Sequence, residues 1–366
     1  MSNNIGTIFK ISLFGESHND TIGLIISGLA PGINLDLDLI KNNLSKRRPK
    51  RKSETKRVEL DSFDIVSGYF NGYTTGTPLT VLMYNRDVKS SDYKEIKDIY
   101  RPSHADYPAN VKYVGYEDYR GGGHFSGRLT APLVVAGSIA SQILSQYNII
   151  IKTHIKSVLD LSDQSFSEAK VLNQIGAINS NDLDVIDKVF ENKLIKLINN
   201  TSKDNDSIGA SLESVILNVE PGLGEPFFNK LDSVIAYYLM SIPAIKGVSF
   251  GKGFDFSKAL GSAVADEYYY DKKVKTFSNN SGGIIGGLST GMPIIINSVV
   301  KPASSIKKQL KTLKKETNEE VSIKVAGRHD SSIFTRIPVI VDSLLALAVL
   351  DAYCVRYGYM WQRGGE

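Results

Sequence analysis

The nine residues Arg120-Gly121-Gly122-Gly123-His124-Phe125-Ser126-Gly127-Arg128 hold four glycines, two arginines and a histidine, and a helix signal follows at once. Pro132 suits the first turn of a helix, where its missing N–H costs nothing. Leu133, Ala136, Ala140 and Leu144 then fall near helical spacing. Three consecutive glycines lose much backbone freedom on folding, which argues against a merely flexible loop. Glycine instead lets the backbone approach a ligand closely, and a helix N-terminus attracts anions. Ser126 and Arg128 add a hydroxyl and a forked guanidinium.

Upstream, Ile8 to Phe14 alternates apolar and polar side chains as a half-buried strand does, and runs into the turn Gly15-Glu16-Ser17-His18. Asp36-Leu37-Asp38 opens a short helix that ends near a basic run, with Pro49 in a loop. Ile65 to Val81 reads as strands with tight turns, and Leu212 to Val219 and Ile294 to Val300 as further strands. Leu231, Ile235 and Leu239 mark a second helix. Asp342 or Ser343 caps a third, carrying Leu344, Leu347, Leu350 and Cys354. Residues 160–206 are polar and carry no chemistry; Ile306 to Lys324 reads as a solvated amphipathic element. Strand groups alternating with long helices predict a mixed α/β or α+β architecture in one compact domain.

Composition narrows the function. The chain has 366 residues, 42% hydrophobic and 22% charged, which excludes a disordered or collagen-like chain. The single cysteine, Cys354, excludes an internal disulfide framework and a Cys-rich metal site. No signal peptide is visible, and the apolar run Leu344 to Leu350 is stopped by Asp351, well short of the roughly 20 residues of a membrane span. A cytoplasmic protein with no membrane partner is expected. Net charge is +4, but eight basic residues and one acid lie between Lys46 and Arg57, and the rest carries 35 basic against 38 acidic residues. The positive field is local: a solvated face, a nucleic-acid patch, or a pocket for a small polyanion.

Standard nucleotide signatures fail. Gly251-Lys252-Gly253 is followed by Phe256 where a third glycine belongs, no P-loop occurs, and five histidines show no metal-ligand spacing. No metal is expected. What remains is a set of polar, Gly-flanked turns. Glu16 and Ser17 beside His18 can fix an imidazole tautomer. Arg101-Pro102-Ser103-His104-Ala105-Asp106 is a rigid extended turn, because Pro102 disfavours helix at Arg101. Asn280 to Gly287, Lys301-Pro302-Ala303-Ser304-Ser305 and Ala326-Gly327-Arg328-His329-Asp330 complete the set. Many arginines, three placed histidines and Gly-rich backbone suit a site that holds phosphate-bearing ligands and moves protons.

Together these segments resemble the chorismate synthase family. Gly15 to Pro31, Gly122 to Ile139 and Arg328 to Leu344 match its signatures in order, and Thr74-Thr75-Gly76-Thr77, Arg101 to Asp106 and Lys301 to Ser305 match as well. The resemblance implies an α+β fold, a β–α–β sandwich of antiparallel sheets flanked by helices, in a single large domain over residues 1–366. It implies a carbon–oxygen lyase converting 5-enolpyruvylshikimate 3-phosphate to chorismate by 1,4-anti elimination of phosphate, the last step of the shikimate pathway. It implies reduced FMN as cofactor and a homotetramer. Reducing equivalents would come from NADPH or from a separate flavin reductase.

By the same resemblance His18, His104 and Asp330 are catalytic: His18 an acid toward the departing phosphate, His104 a proton donor to the reduced flavin, Asp330 an aid to proton removal. His124, Phe125, Ser126, Ala244, Gly286, Lys301, Pro302, Ala303, Ser304, Ser305 and Arg328 fall at flavin positions. Arg47, Arg48, Arg51, Arg101 and Arg128 are assigned to substrate or NADP. The sequence departs from the family at Asn19, at His124-Phe125 in place of a frequent Arg-Ser, at Asp342 in place of Glu, and at Lys50 to Ser53. Two competing readings are an ordinary flavin-dependent oxidoreductase, disfavoured by the missing dinucleotide fingerprint, and a nucleic-acid binder using residues 46–57, which leaves the glycine turns unexplained.

Overall fold

The structure is a computed structural model that describes residues 3–49, 61–86, 97–324 and 330–364. In chain order, β1 (Asn4–Ile5), β2 (Lys10–Gly15) and β3 (Thr21–Ser27) precede α1 (Leu37–Lys46), and β4 (Phe63–Ser67), β5 (Tyr69–Phe70), β6 (Tyr73–Thr74) and β7 (Leu79–Tyr84) follow. Next come α2 (Asp106–Tyr113), α3 (Thr130–Ser145), β8 (Ile150–Val158), β9 (Leu161–Ser162), α4 (Val171–Ser180), α5 (Lys188–Lys203) and β10 (Ala210–Leu217). The remainder runs α6 (Leu231–Met240), β11 (Ile245–Phe250), α7 (Gly261–Val264), β12 (Tyr268–Asp271), β13 (Lys273–Thr276), β14 (Ile284–Ile285) and β15 (Leu288–Ser289). It closes with β16 (Ile294–Val300), β17 (Gln309–Leu313), β18 (Glu320–Lys324) and α8 (Pro338–Tyr357).

Among the described residues the two large sheets are antiparallel, ordered β1-β2-β3-β7-β4 and β11-β16-β10-β8-β9. Between them lie α3 and α8, packed on each other, with α3 against β2, β3 and β7 and α8 against β8. This is a β–α–β sandwich. One contiguous apolar core joins Ile22, Leu24 and Ile26 of the first sheet, Val134 and Ile139 of α3, Leu345 and Val349 of α8, and Leu212 and Ile296 of the second sheet. A helix caught between two sheets must be apolar on most of its circumference, and α3 and α8 are. The two helices cross where Gly137 meets Ser343: a Cβ on Gly137 would collide with the Ser343 backbone, its carbonyl oxygen at 2.7 Å.

Several expectations hold closely. The Asp36 side chain accepts hydrogen bonds from the N–H groups of Asp38 and Leu39, capping α1. The strand at Ile294–Val300 and the helix beginning at Leu231 are found as read. Two differ. The last helix starts at Pro338, so Asp342 and Ser343 lie inside it; Ser343 bonds back to the Val339 carbonyl instead of capping. It also passes straight through Asp351, whose buried carboxylate accepts from the N–H groups of Thr7, Ile8 and Phe9 at 2.7–2.8 Å. By length and composition α8 could cross a membrane, but 83% of its apolar window is buried inside the protein, as befits a core helix. The Lys-rich stretch after Ile306 is the hairpin β17–β18, and the polar stretch 160–206 carries the two amphipathic helices α4 and α5.

Candidate active site

The turn after β2 carries His18 into the protein rather than onto its surface: Ser17 is fully buried and His18 is 7% exposed. The glycine loop 121–123 lies over it. Gly121, Gly122 and Gly123 all have positive φ, which a side chain would disfavour. Gly121 faces His18: a Cβ there would sit 2.5 Å from Nε2 and 2.9 Å from the Ser17 Oγ. Its neighbour Gly122 faces His104, whose Cε1 and Nε2 lie 3.4 Å from the corresponding Cβ position. Two imidazoles from segments 86 residues apart therefore meet adjacent glycines of a third. The turns are laced by Ser17 N–H to the Gly123 carbonyl, 3.1 Å, and by His124 Nδ1 to the Gly15 carbonyl, 3.0 Å.

His104 is anchored from its other nitrogen. Nδ1 lies 2.6 Å from Asp106 Oδ1, and the same carboxylate takes Arg101 Nε and Nη2 at 2.7 Å each. Burial works against the Asp106 charge, but the hydrogen bonds from His104 and Arg101 hold its carboxyl well below the usual range.

Beside the histidines is a nest of guanidiniums around Asp61, whose side chain is fully buried. Arg47 Nη2 reaches both its oxygens, at 3.1 and 3.0 Å, Arg128 pairs with Oδ1, and Arg48 approaches at 3.9 Å. Arg128 Nε also donates to Asn85 Oδ1 at 3.0 Å, and Asn85 Nδ2 donates to the carbonyls of Glu16 and Asn19, tying the nest to the His18 turn. Burial pushes the Arg47 guanidinium down to about 10, with Asp61 opposing and Arg128 and Arg336 adding to the fall. Two donors, Arg47 Nε and Arg336 Nε, are buried without a hydrogen-bond acceptor among the described residues. One carboxylate thus serves several cations, and the surplus positive charge suits an anionic ligand.

Asp330 is buried, pairs with Arg336 and accepts from the Ser332 N–H at 3.0 Å. It lines a small cleft of about 60 Å³ with Ser305. Lys301 Nζ donates to the Ser103 carbonyl at 2.6 Å, and its N–H to that of Ala244, so residues 244 and 301 join the His104 turn. Ala303 accepts from Ser207 Oγ, Pro302 packs near Gly209, and the Ser126 Oγ caps the short turn leading to Arg128. Phe125 is 41% exposed and lies against Tyr113. Gly286 stands apart, at the tip of the β14–β15 hairpin, which bonds to the start of α6 and to Leu223. Arg51 and Arg328 lie outside the described residues. Of the basic run, Arg47 is turned inward rather than solvated.

Sequence reasoning missed Asp61, Asn85 and Arg336. The first two stand alone in loops with no motif around them. Arg336 lies six residues after Asp330, within the matched segment, and its position there was a usable signal.

The comparisons agree with one another. The family model of chorismate synthase matches residues 9–354. The chorismate synthase of Pyrococcus abyssi is 42% identical over 347 residues, covering 94% of this chain and 96% of that protein. That of Methanobrevibacter smithii is 40% identical over 364 residues, 98% of each. A crystal structure of chorismate synthase superposes with a TM-score of 0.76 at 25% identity, covering 98% of this chain and 96% of that one.

Proposed function

The chain belongs to the chorismate synthase family, and we propose that it eliminates phosphate from 5-enolpyruvylshikimate 3-phosphate in the 1,4-anti sense to give chorismate. That is a carbon–oxygen lyase reaction on a phosphate ester, supplying aromatic amino acid biosynthesis in the cytoplasm. The observation that carries the reading is the meeting of His18 and His104 on adjacent glycines beside a buried guanidinium nest.

The substrate carries one phosphate and two carboxylates, and we assign Arg47, Arg48, Arg101 and Arg128 to meet them, with Arg51 and Arg328 assigned by resemblance. Each charge-assisted hydrogen bond contributes about 1.5–3 kcal/mol net. His18 donates a proton to the departing phosphate. Asp330 is the carboxylate toward which the ring proton leaves, and His104 keeps the cofactor protonated. General acid–base groups of this kind contribute about 10²–10⁴ in rate.

Reduced FMN, when bound, supplies the transient electron donation that makes an unactivated C–H bond breakable. The donor set fits it: the Lys301 ammonium, the hydroxyls of Ser126, Ser304 and Ser305, the half-exposed Phe125 ring and the glycine backbone at 121–123 offer charge, hydrogen bonds and a flat apolar face. His124, Ala244, Pro302, Ala303 and Gly286 complete the assignment. NADPH or a separate flavin reductase would supply the reducing equivalents. A single catalytic domain over 1–366, assembled as a homotetramer, completes the proposal.

The test is anaerobic turnover with photoreduced FMN and 5-enolpyruvylshikimate 3-phosphate. Phosphate and chorismate should appear in equal amounts without net flavin oxidation. Folded, flavin-bound protein that releases neither product would refute the proposal.

A further inference from the structure

We propose that Asp106 is a positioning residue for His104, holding its Nδ1–H so that Nε2 is the nitrogen through which the proton moves. The inference rests on the role proposed above for His104. Its basis is the completeness of one local network. Oδ2 of Asp106 accepts from the Arg101 N–H at 3.0 Å and from Arg101 Nε at 2.7 Å. Oδ1 accepts from Arg101 Nη2 at 2.7 Å and lies 2.6 Å from His104 Nδ1. Four hydrogen bonds from two residues of its own turn occupy the carboxylate, and this forked pairing fixes direction as well as distance.

The frame behind it is stiff. Asp106 opens α2, where a negative side chain also complements the helix dipole. Pro102 restrains Arg101, Ser103 is held at a φ of +58°, and the Lys301 ammonium grips the Ser103 carbonyl from the second sheet.

Nδ1 sits 3.1 Å from Arg101 Nη2 as well, but a guanidinium can only donate, and both groups converge on the same oxygen. Nδ1 therefore carries its hydrogen toward Asp106. The remaining nitrogen, Nε2, is the one that faces Gly122, on the same loop whose preceding residue faces His18. Because Arg101 neutralises Asp106, the carboxylate stays ionised and does not itself take the proton. It fixes the tautomer and the ring plane, as the buried carboxylate does for the histidine in hydrolase triads.

The test is a double-mutant cycle in the holoenzyme with reduced FMN: Asp106→Asn, His104→Asn and the pair. Asp106→Asn should lower kcat about 10- to 100-fold, the range found when the outer partner of a ligating histidine is removed, with the KM for substrate nearly unchanged. The double variant should be no slower than His104→Asn alone. Independent, multiplying losses, a loss confined to KM, or a wild-type rate in Asp106→Asn would overturn the proposal while leaving the role of His104 intact. A wild-type rate in His104→Asn would instead sink the acid–base reading itself. Should Asp106→Asn fail to fold, nitrogen-15 NMR of the wild-type imidazole decides: a neutral ring protonated at Nδ1 supports the proposal, one protonated at Nε2 refutes it.

Discussion

Replacing Gly121 by alanine tests the site with a single methyl group. At φ +58° the backbone accepts alanine at a cost of about 1–2 kcal/mol relative to glycine. The larger effect is steric. The new Cβ would stand 2.5 Å from His18 Nε2, and non-bonded contacts are comfortable only from about 3.5 Å, so the ring must retreat by about 1 Å. A displacement of that size costs on the order of 10²-fold in rate, or about 2.7 kcal/mol of barrier. Gly122→Ala supplies the control. Its φ of +84° exacts a similar backbone cost, but its Cβ would lie 3.4 Å from His104, near ordinary contact. Both variants should melt at lower temperature, Gly121→Ala by more because the clash adds to the shared backbone cost, while the anaerobic rate of phosphate release should collapse only in Gly121→Ala. Gly127→Ala, with nothing within 4 Å of its Cβ, should match the wild type in rate. Equal rates in the Gly121 and Gly122 variants would refute the claim that His18 is held against the loop in a working position.

Away from the site, Asp342 has a carboxyl that burial, aided by Asp184 and opposed by Lys152, raises to about 7. Its folded value exceeds its unfolded one, so the native state loses stability as pH rises from about 4 through 7; Asp342→Asn should raise the melting temperature at pH 8 and leave it unchanged at pH 4. His154, wholly buried between Asp163 and Glu213 at 3.2 and 3.1 Å, shifts in the same direction for a different reason. Burial disfavours its charge, but those hydrogen bonds prevail and raise its pKa. Its contribution is complete below pH 6.5 and lost as pH rises through the folded value, so His154→Gln should flatten the decline in melting temperature above pH 6.5. Asp351→Ala strands three N–H groups, that of Phe9 buried and those of Thr7 and Ile8 partly so, and should cost about 1–3 kcal/mol in urea unfolding.

What could be read from the chain follows from how far each residue must reach. The helix at Leu231 and the strand at Ile294 were legible because their apolar period is local and complete. The start of α8 was not. Asp342 looks like a cap, and only the fold shows it half-buried inside the helix, its carboxyl near Lys152, with Pro338 already in the first turn. Nor does Asp351 break that helix, because its charge is satisfied by backbone more than 340 residues away in sequence. The β17–β18 hairpin keeps its alternation in runs of only five residues, Val321 and Ile323 inward against exposed Glu320, Ser322 and Lys324, and so short a period is easily lost in a Lys-rich stretch. The same distinction divides the site. Ser17, His18, Arg101, His104 and the glycine loop announce themselves because each turn needs special backbone chemistry within a few residues. Asp61, Asn85 and Arg336 make no such local demand. Arg128 finds Asp61 across 67 residues and Asn85 across 43, so the counter-charge that makes a guanidinium nest tolerable is encoded in no spacing at all. A charge cluster in sequence therefore shows where cations are, whereas the site depends on which of them must share a single carboxylate once the chain has closed.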